Sequence, residues 1–348
     1  MKSNYRYIVK AFMAMAVIAG TTSCDDFLDR EPMSSISPET YYSTAAQLEA
    51  NLNDEYPNVL PSFGQWTYGI FGEDKGTDNQ IEVNANDRYT QDRWKVPHSE
   101  SDNWKFERIY RINFFLSEAL PKFGEDMSGS QNTISGSVAT IKHYIGEMYF
   151  LRAYEYFKKL QLFGDFPIIN QPLADEMEAL REASKRFPRN EVARFIISDL
   201  DKAYAYMSDV DMATTRINKD AAMLVKSRVA LFEATWLQNF KGTAFVPGGE
   251  GWPGASLHNN YQYPSGNLDN EVKYFLEQAV EASKLVADKY KGNLTENTGV
   301  LQQSADDPSN PYFDMFAQED LSDVKEVLLW RQYARGLSTH NINAAAGR

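Results

Sequence analysis

Between Ile141 and Phe163 the chain is apolar on nearly every side of a helical wheel. Ile141, Ile145, Met148 and Leu151 fall on one side, and Tyr149, Ala153, Phe157 and Leu160 on another. A surface helix carries one apolar stripe, whereas a helix apolar all round must be covered by neighbours on several sides. This run therefore demands other helices packed around it. It stops at Gly164, and Pro167 prevents its resumption.

The required neighbours are present as cleaner amphipathic patterns. Ile196, Leu200, Ala203 and Met207 form one stripe, and Ala222, Val225, Val229, Phe232 and Trp236 form another behind the N-cap candidate Asn218. Val272, Phe275, Leu276, Ala279, Ser283, Val286 and Tyr290 form a third. An earlier helix is expected over about 101–120, with Trp104, Ile109, Ile112, Leu116 and Leu120, and Ser37 with Pro38 and Glu39 opens one nearer the start. On these stripes Trp104 and Trp236 read as core.

The helices also repeat. Arg152 aligns with Arg228 at an offset of 76, and Phe195-Ile-Ile197 falls 79 residues before Tyr274-Phe-Leu276. Long helices followed across variable loops by shorter ones fit degenerate TPR-like pairs, and they fit an ordinary irregular helical domain equally well. Strand signal is confined to Glu326–Tyr333 and to Phe166–Ile169. The fold class is mainly α, with long inserted loops and few short strands.

Two linkers are unusual. Residues 61–97 hold Trp66, Tyr68, Phe71, Tyr89 and Trp94 among Gly, Asn and Asp, and residues 241–266 hold Phe245, Trp252, Tyr261 and Tyr263 among Gly and Pro. Loops of this length inside a compact domain are functional or disordered, and aromatic content argues against disorder. An exposed indole stacks on the C–H face of a sugar ring while Asp, Asn and Arg take its hydroxyls. That makes Trp94 with Tyr89, Asp87 and Arg93 the leading ligand-binding candidates, followed by Trp66 and Trp252. The alternative for each tryptophan is that it plugs its own loop onto the helices.

Composition narrows the chemistry. The net charge is −13, with 48 acidic against 35 basic residues, which disfavours nucleic acid. One Cys excludes a disulfide framework or a Cys-based zinc site, and four scattered His form no metal-site pattern. Gly249-Glu-Gly251-Trp-Pro-Gly254 matches a dinucleotide fingerprint in letters only, because Pro253 and the polar stretch after it supply no helix. No nucleophile elbow, P-loop or zinc-protease motif occurs. No catalytic residue, metal or cofactor is expected.

Residues 1–23 read as an address. Lys2, Arg6 and Lys10 precede the apolar run Ala11–Gly20, which is too short to span a bilayer and suits a secretory signal. Thr21-Thr22-Ser23 then leads into Cys24, the single Cys, placed where a lipoprotein signal would acylate it. An unmodified thiol beside an ordinary cleavage site is the alternative. Removing residues 1–23 takes the net charge from −13 to −16, so attachment to a membrane would rest on acyl chains and not on a basic patch.

Cys24-Asp-Asp-Phe-Leu-Asp-Arg-Glu-Pro32 followed by Ser37-Pro-Glu-Thr-Tyr-Tyr-Ser43 resembles the opening of SusD/RagB-family lipoproteins, nutrient-binding surface proteins of Bacteroidetes. Leu151-Arg-Ala-Tyr-Glu-Tyr-Phe157, Gln161–Ile169, Asn218–Ala222 and Lys226–Glu233 extend the resemblance in the family's order. It implies a signal peptide over 1–23, a SusD-like domain of TPR-like helix pairs over 24–348, and an outer-membrane position facing the exterior through acylated Cys24. It implies non-catalytic capture of a glycan for a SusC-like TonB-dependent transporter. An oligopeptide-capturing member and a surface glycoside hydrolase are the alternatives. Family members continue beyond the Arg335-Gly-Leu337 region, so a further C-terminal portion is expected.

Overall fold

The computed structural model describes residues 41–61, 80, 103–124, 126–208, 212–301, 304 and 306–332. The chain divides into a unit ending at Tyr41 and a second from Tyr42 to Arg348, which holds the helices named here. The proposed signal, Cys24, the helix opening at Ser37, and Trp66, Asp87, Tyr89, Arg93 and Trp94 lie outside the described residues.

Among the described residues there are eight α-helices and no strand. They are α1 (Ala45–Val59), α2 (Glu107–Phe123), α3 (Val138–Phe163), α4 (Met177–Ala183), α5 (Arg189–Tyr206), α6 (Lys219–Asn239), α7 (Leu268–Tyr290) and α8 (Pro311–Met315). The all-round apolar run is α3, and it is central: α1, α2, α5 and α6 pack on it. Ile141, Ile145, Met148, Leu151 and Leu160 are fully buried, each contributing about 1.5–3 kcal/mol relative to exposure. Beyond α3 the array continues in chain order, α5 against α6 and α6 against α7.

Local chemistry sets the helix ends. The Ser137 hydroxyl caps α3 through the Thr140 N–H, and Asn218 caps α6 through the Ala221 N–H at 3.0 Å, as its position predicts. Gly164 ends α3 at φ 69, a conformation that suits glycine. Inside α3, Gly146 lets the end of α5 approach closely: a Cβ there would lie 2.8 Å from the Met207 backbone nitrogen and 2.9 Å from the Ala203 carbonyl.

Ion pairs to buried carboxylates cross between the helices. Arg152 on α3 donates from Nε and Nη2 to Asp199 on α5 at 2.6 and 2.9 Å. Arg189 on α5 is forked onto Glu233 on α6, and Arg194 on α5 onto Glu271 on α7. Arg216, ahead of α6, is forked onto Glu147 of α3. Each of these carboxylates is fully buried.

Two expectations are corrected. The early helix begins at Glu107 and not near 101, so Trp104 is not on its stripe. Instead the half-buried Trp104 ring meets Phe106, Phe163 and Phe166 edge-on, and this aromatic cluster outweighs the helical period. Residues 326–332 form no strand, and among the described residues there is no strand for them to pair with. Their backbone is tied to the loop before α6, Trp330 N–H to the Thr214 carbonyl and Asn218 Nδ2 to the Leu328 carbonyl. The repeat partner Arg228 is exposed, whereas Arg152 is buried. Phe166 pairs with Phe187 in one isolated antiparallel bridge.

Asp199→Ala strands a buried guanidinium. Breaking a buried pair from one side costs about 3–5 kcal/mol, so urea unfolding should show a loss of that size. A loss under about 1 kcal/mol would place the pair with solvent-screened surface contacts.

Candidate functional site

The turn after α3 brings Asp165 under the N-terminus of α5. Its Oδ1 accepts the Arg189 N–H at 2.9 Å and its Oδ2 accepts the Trp252 indole N–H at 2.7 Å. Burial raises the Asp165 carboxyl above its ordinary range, against the lowering effect of these two donors. The long loop 241–266 is thereby fastened to the helix ends. Trp252 is only 5% exposed, and its ring lies against His258 and Tyr261. The Tyr261 hydroxyl exchanges hydrogen bonds with Asn190, and Tyr263 donates to the Pro247 carbonyl.

The opposite wall comes from α6. The Arg189 guanidinium, bound to Glu233, lies 4.1 Å from the centre of the Trp236 ring, and Trp236 donates its indole N–H to the Phe245 carbonyl. A cavity of about 540 Å³ remains between these walls, lined among others by Asp165, Arg186, Trp236, Phe245, Trp252 and Leu257. Phe245 is 61% exposed, Leu162 57% and Leu257 55%, which gives the mouth an apolar lip. Few convergent polar groups beside apolar surface are what a ligand site needs.

A larger cavity of about 890 Å³ lies between α1, α3, the start of α6 and residues 326–332. Its walls are mostly apolar, with Tyr56, Leu60, Phe150, Tyr154 and Leu224 prominent. Both cavities mix polar and apolar lining; the Asp165 corner sets Asp165, Arg186 and Arg189 beside the exposed Phe245 and Leu257, and this charged edge on apolar surface makes it the candidate. Among the described residues no group of three or more His, Cys, Asp or Glu side chains could hold a metal ion. No described helix is long and apolar enough to cross a membrane.

Of the sequence-derived candidates, the structure positions Trp252 alone. It belongs to this corner, but its indole is turned inward and its N–H is occupied, so it shapes the wall. Trp66, Asp87, Tyr89, Arg93 and Trp94 lie outside the described residues. Trp236 is on the expected α6 stripe but half-buried, with Arg189 over its ring. Asp165, Arg186 and Phe245 were not singled out from sequence as site residues. Asp165 stands inside the Gln161–Ile169 motif, which was the one signal available for it.

Trp252→Ala removes a buried ring and leaves a buried carboxylate short of a donor, so thermal and urea unfolding should lose about 3–5 kcal/mol. Trp252→Phe keeps most of the shape and loses the N–H, for about 1–3 kcal/mol. Equal stability in all three proteins would show that the indole does not hold the loop.

Comparison with known proteins identifies the chain's kinship. The SusD-like family described as starch-binding and associating with the outer membrane matches residues 26–231, more than half of the chain. SusD-like protein P25 of Formosa agariphila is 25% identical over 62% of this chain and 41% of its own length. SusD-like protein P2 of the same organism is 25% identical over 69% of this chain and 46% of its own. The chain thus spans under half the length of these relatives. A SusD-like carbohydrate-binding protein from Bacteroides fragilis superposes with a TM-score of 0.42 at 16% identity, over 74% of this chain and 42% of the other. With its family's sequence pattern running from residue 26 into α6, this chain belongs to the SusD-like family.

Proposed function

We propose that this protein binds a glycan without transforming it, at the outer surface of the outer membrane, and passes it to a SusC-like TonB-dependent transporter. The observation that carries the reading is the family match over residues 26–231, whose description is starch binding at the outer membrane. The Asp165 corner is consistent with it: an apolar lip beside polar groups suits a sugar ring with one apolar and one hydroxylated aspect. Both oxygens of Asp165 are held by donors of the protein itself, which suits a structural wall better than a proton-transferring acid. Acylation of Cys24 would hold the protein at the membrane, and the loop carrying Asp87, Tyr89, Arg93 and Trp94, with Trp66, would supply the main ligand platform.

A glycan and peptide array probed with the purified protein tests the reading. Saccharide binding with no peptide binding supports it, and the converse assigns the protein to peptide capture. Trp94→Ala should weaken the saccharide hit more than tenfold, which corresponds to over 1.4 kcal/mol, with the melting temperature nearly unchanged. A large drop in melting temperature at unchanged affinity would make Trp94 a core residue. Cys24→Ala should move the protein from the membrane fraction to the soluble fraction. Persistent membrane association of that variant would refute the lipid anchor.

A further inference from the structure

Three charged residues line the 540 Å³ corner: Asp165, Arg186 and Arg189. Two of them are already committed. Arg189 gives Nε and Nη2 to Glu233 and its backbone N–H to Asp165, while Asp165 is held by that N–H and by Trp252. Arg186 differs. Its guanidinium carbon lies 4.6 Å from the centre of the Trp104 ring, and none of the described carboxylates forms an ion pair with it. The Arg186 carbonyl accepts from His258 Nε2 at 2.8 Å, which ties its backbone to loop 241–266.

An arginine resting on an indole keeps its N–H groups free, and its planar fork matches a carboxylate or sulfate in two parallel hydrogen bonds. The stack also reduces the rotamer freedom that such a contact would otherwise have to freeze. Beside this cation stand the exposed Phe245 and Leu257, which offer a surface for the C–H face of a ring. The volume lies within the ordinary range of small-ligand sites, about 300–1,000 Å³.

We propose that this corner binds an anionic pyranose, its acidic group on Arg186 and its ring face against Phe245 and Leu257. The inference rests on the glycan-binding reading and narrows it to acidic sugars at this place. Uronic carboxylates and sulfate esters share the required chemistry. The net charge of −13 opposes the approach of such a ligand at long range, but at physiological salt that field is screened within about 8 Å, so contact with Arg186 decides affinity.

Calorimetric titration with trigalacturonic acid, neutral galactotriose and a sulfated galactotriose tests the proposal. The wild-type protein should bind at least one acidic trisaccharide ten times more tightly than the neutral one, and which acid wins identifies the group. Arg186→Gln should weaken acidic binding tenfold or more and abolish the preference for acidic over neutral trisaccharide. Arg186→Lys should fall between, since it keeps the charge and loses the fork. Equal affinity of the wild-type protein for acidic and neutral trisaccharides, or acidic binding that survives Arg186→Gln, overturns the inference. If neutral saccharides still bind, the wider glycan reading stands; if no saccharide on the array binds, both fall.

Discussion

The buried arginine–carboxylate pairs between helices are the constraint on which the rest of the molecule depends. Apolar packing between α3, α5, α6 and α7 is strong but tolerant, since a helix can slide along a greasy neighbour at modest cost. An arginine buried opposite a carboxylate cannot slide. Leaving a buried partner unpaired costs several kcal/mol, so Arg152–Asp199 and Arg189–Glu233, together with the buried Glu271 held by the part-exposed Arg194, fix rotation and register at successive interfaces. Two of the three arginines lie on α5, making that helix the reference for its neighbours.

That reference extends into the candidate site. Arg189 is the first residue of α5, and two of its parts make three contacts. Its guanidinium meets Glu233, the same group covers Trp236, and its N–H holds Asp165. The position of loop 241–266 follows from Asp165 through Trp252, so the loop inherits its place from an interhelical pair. The two acids respond in opposite directions. Glu233 is held above its ordinary range because full burial outweighs Arg189. Glu271 is held below it, since hydrogen bonds from Arg194, Asn190 and Ser265 overcome burial. Deeper burial of Glu233 and the larger number of donors on Glu271 together separate them.

The helical scaffold was largely legible in the sequence because its signal is periodic and local. The all-round apolar run ends at Phe163 as expected, Asn218 caps α6, and the stripe through Phe275, Ala279 and Val286 is the buried face of α7. The failures share one cause. Trp104 and residues 326–332 fit a local pattern, helix and strand respectively, but tertiary partners overrode it: an aromatic cluster in one case, ties to the loop before α6 in the other. The corner was illegible for a related reason. Asp165, Arg186 and Trp252 are far apart in sequence and carry no motif of spacing, and nothing in the residue names says that Trp252 faces inward or that Arg186 pairs with none of the described acids.

This separation of scaffold from loop bears on how one helical frame can serve different ligands. Most ion pairs that set the register lie within the array and make no contact with the cavity, so loop residues such as Phe245 and Leu257 can change without disturbing them. Asp165, Arg189 and Trp252 are the exception, because they belong to the register and the wall at once. Substitutions there are expected to alter stability and binding together, whereas Arg186, exposed and outside the network, can vary at little structural cost. A residue that is structurally dispensable and chemically unfulfilled is where ligand preference can be set independently of the fold, and in this corner Arg186 alone meets both conditions among the described charged residues that line it.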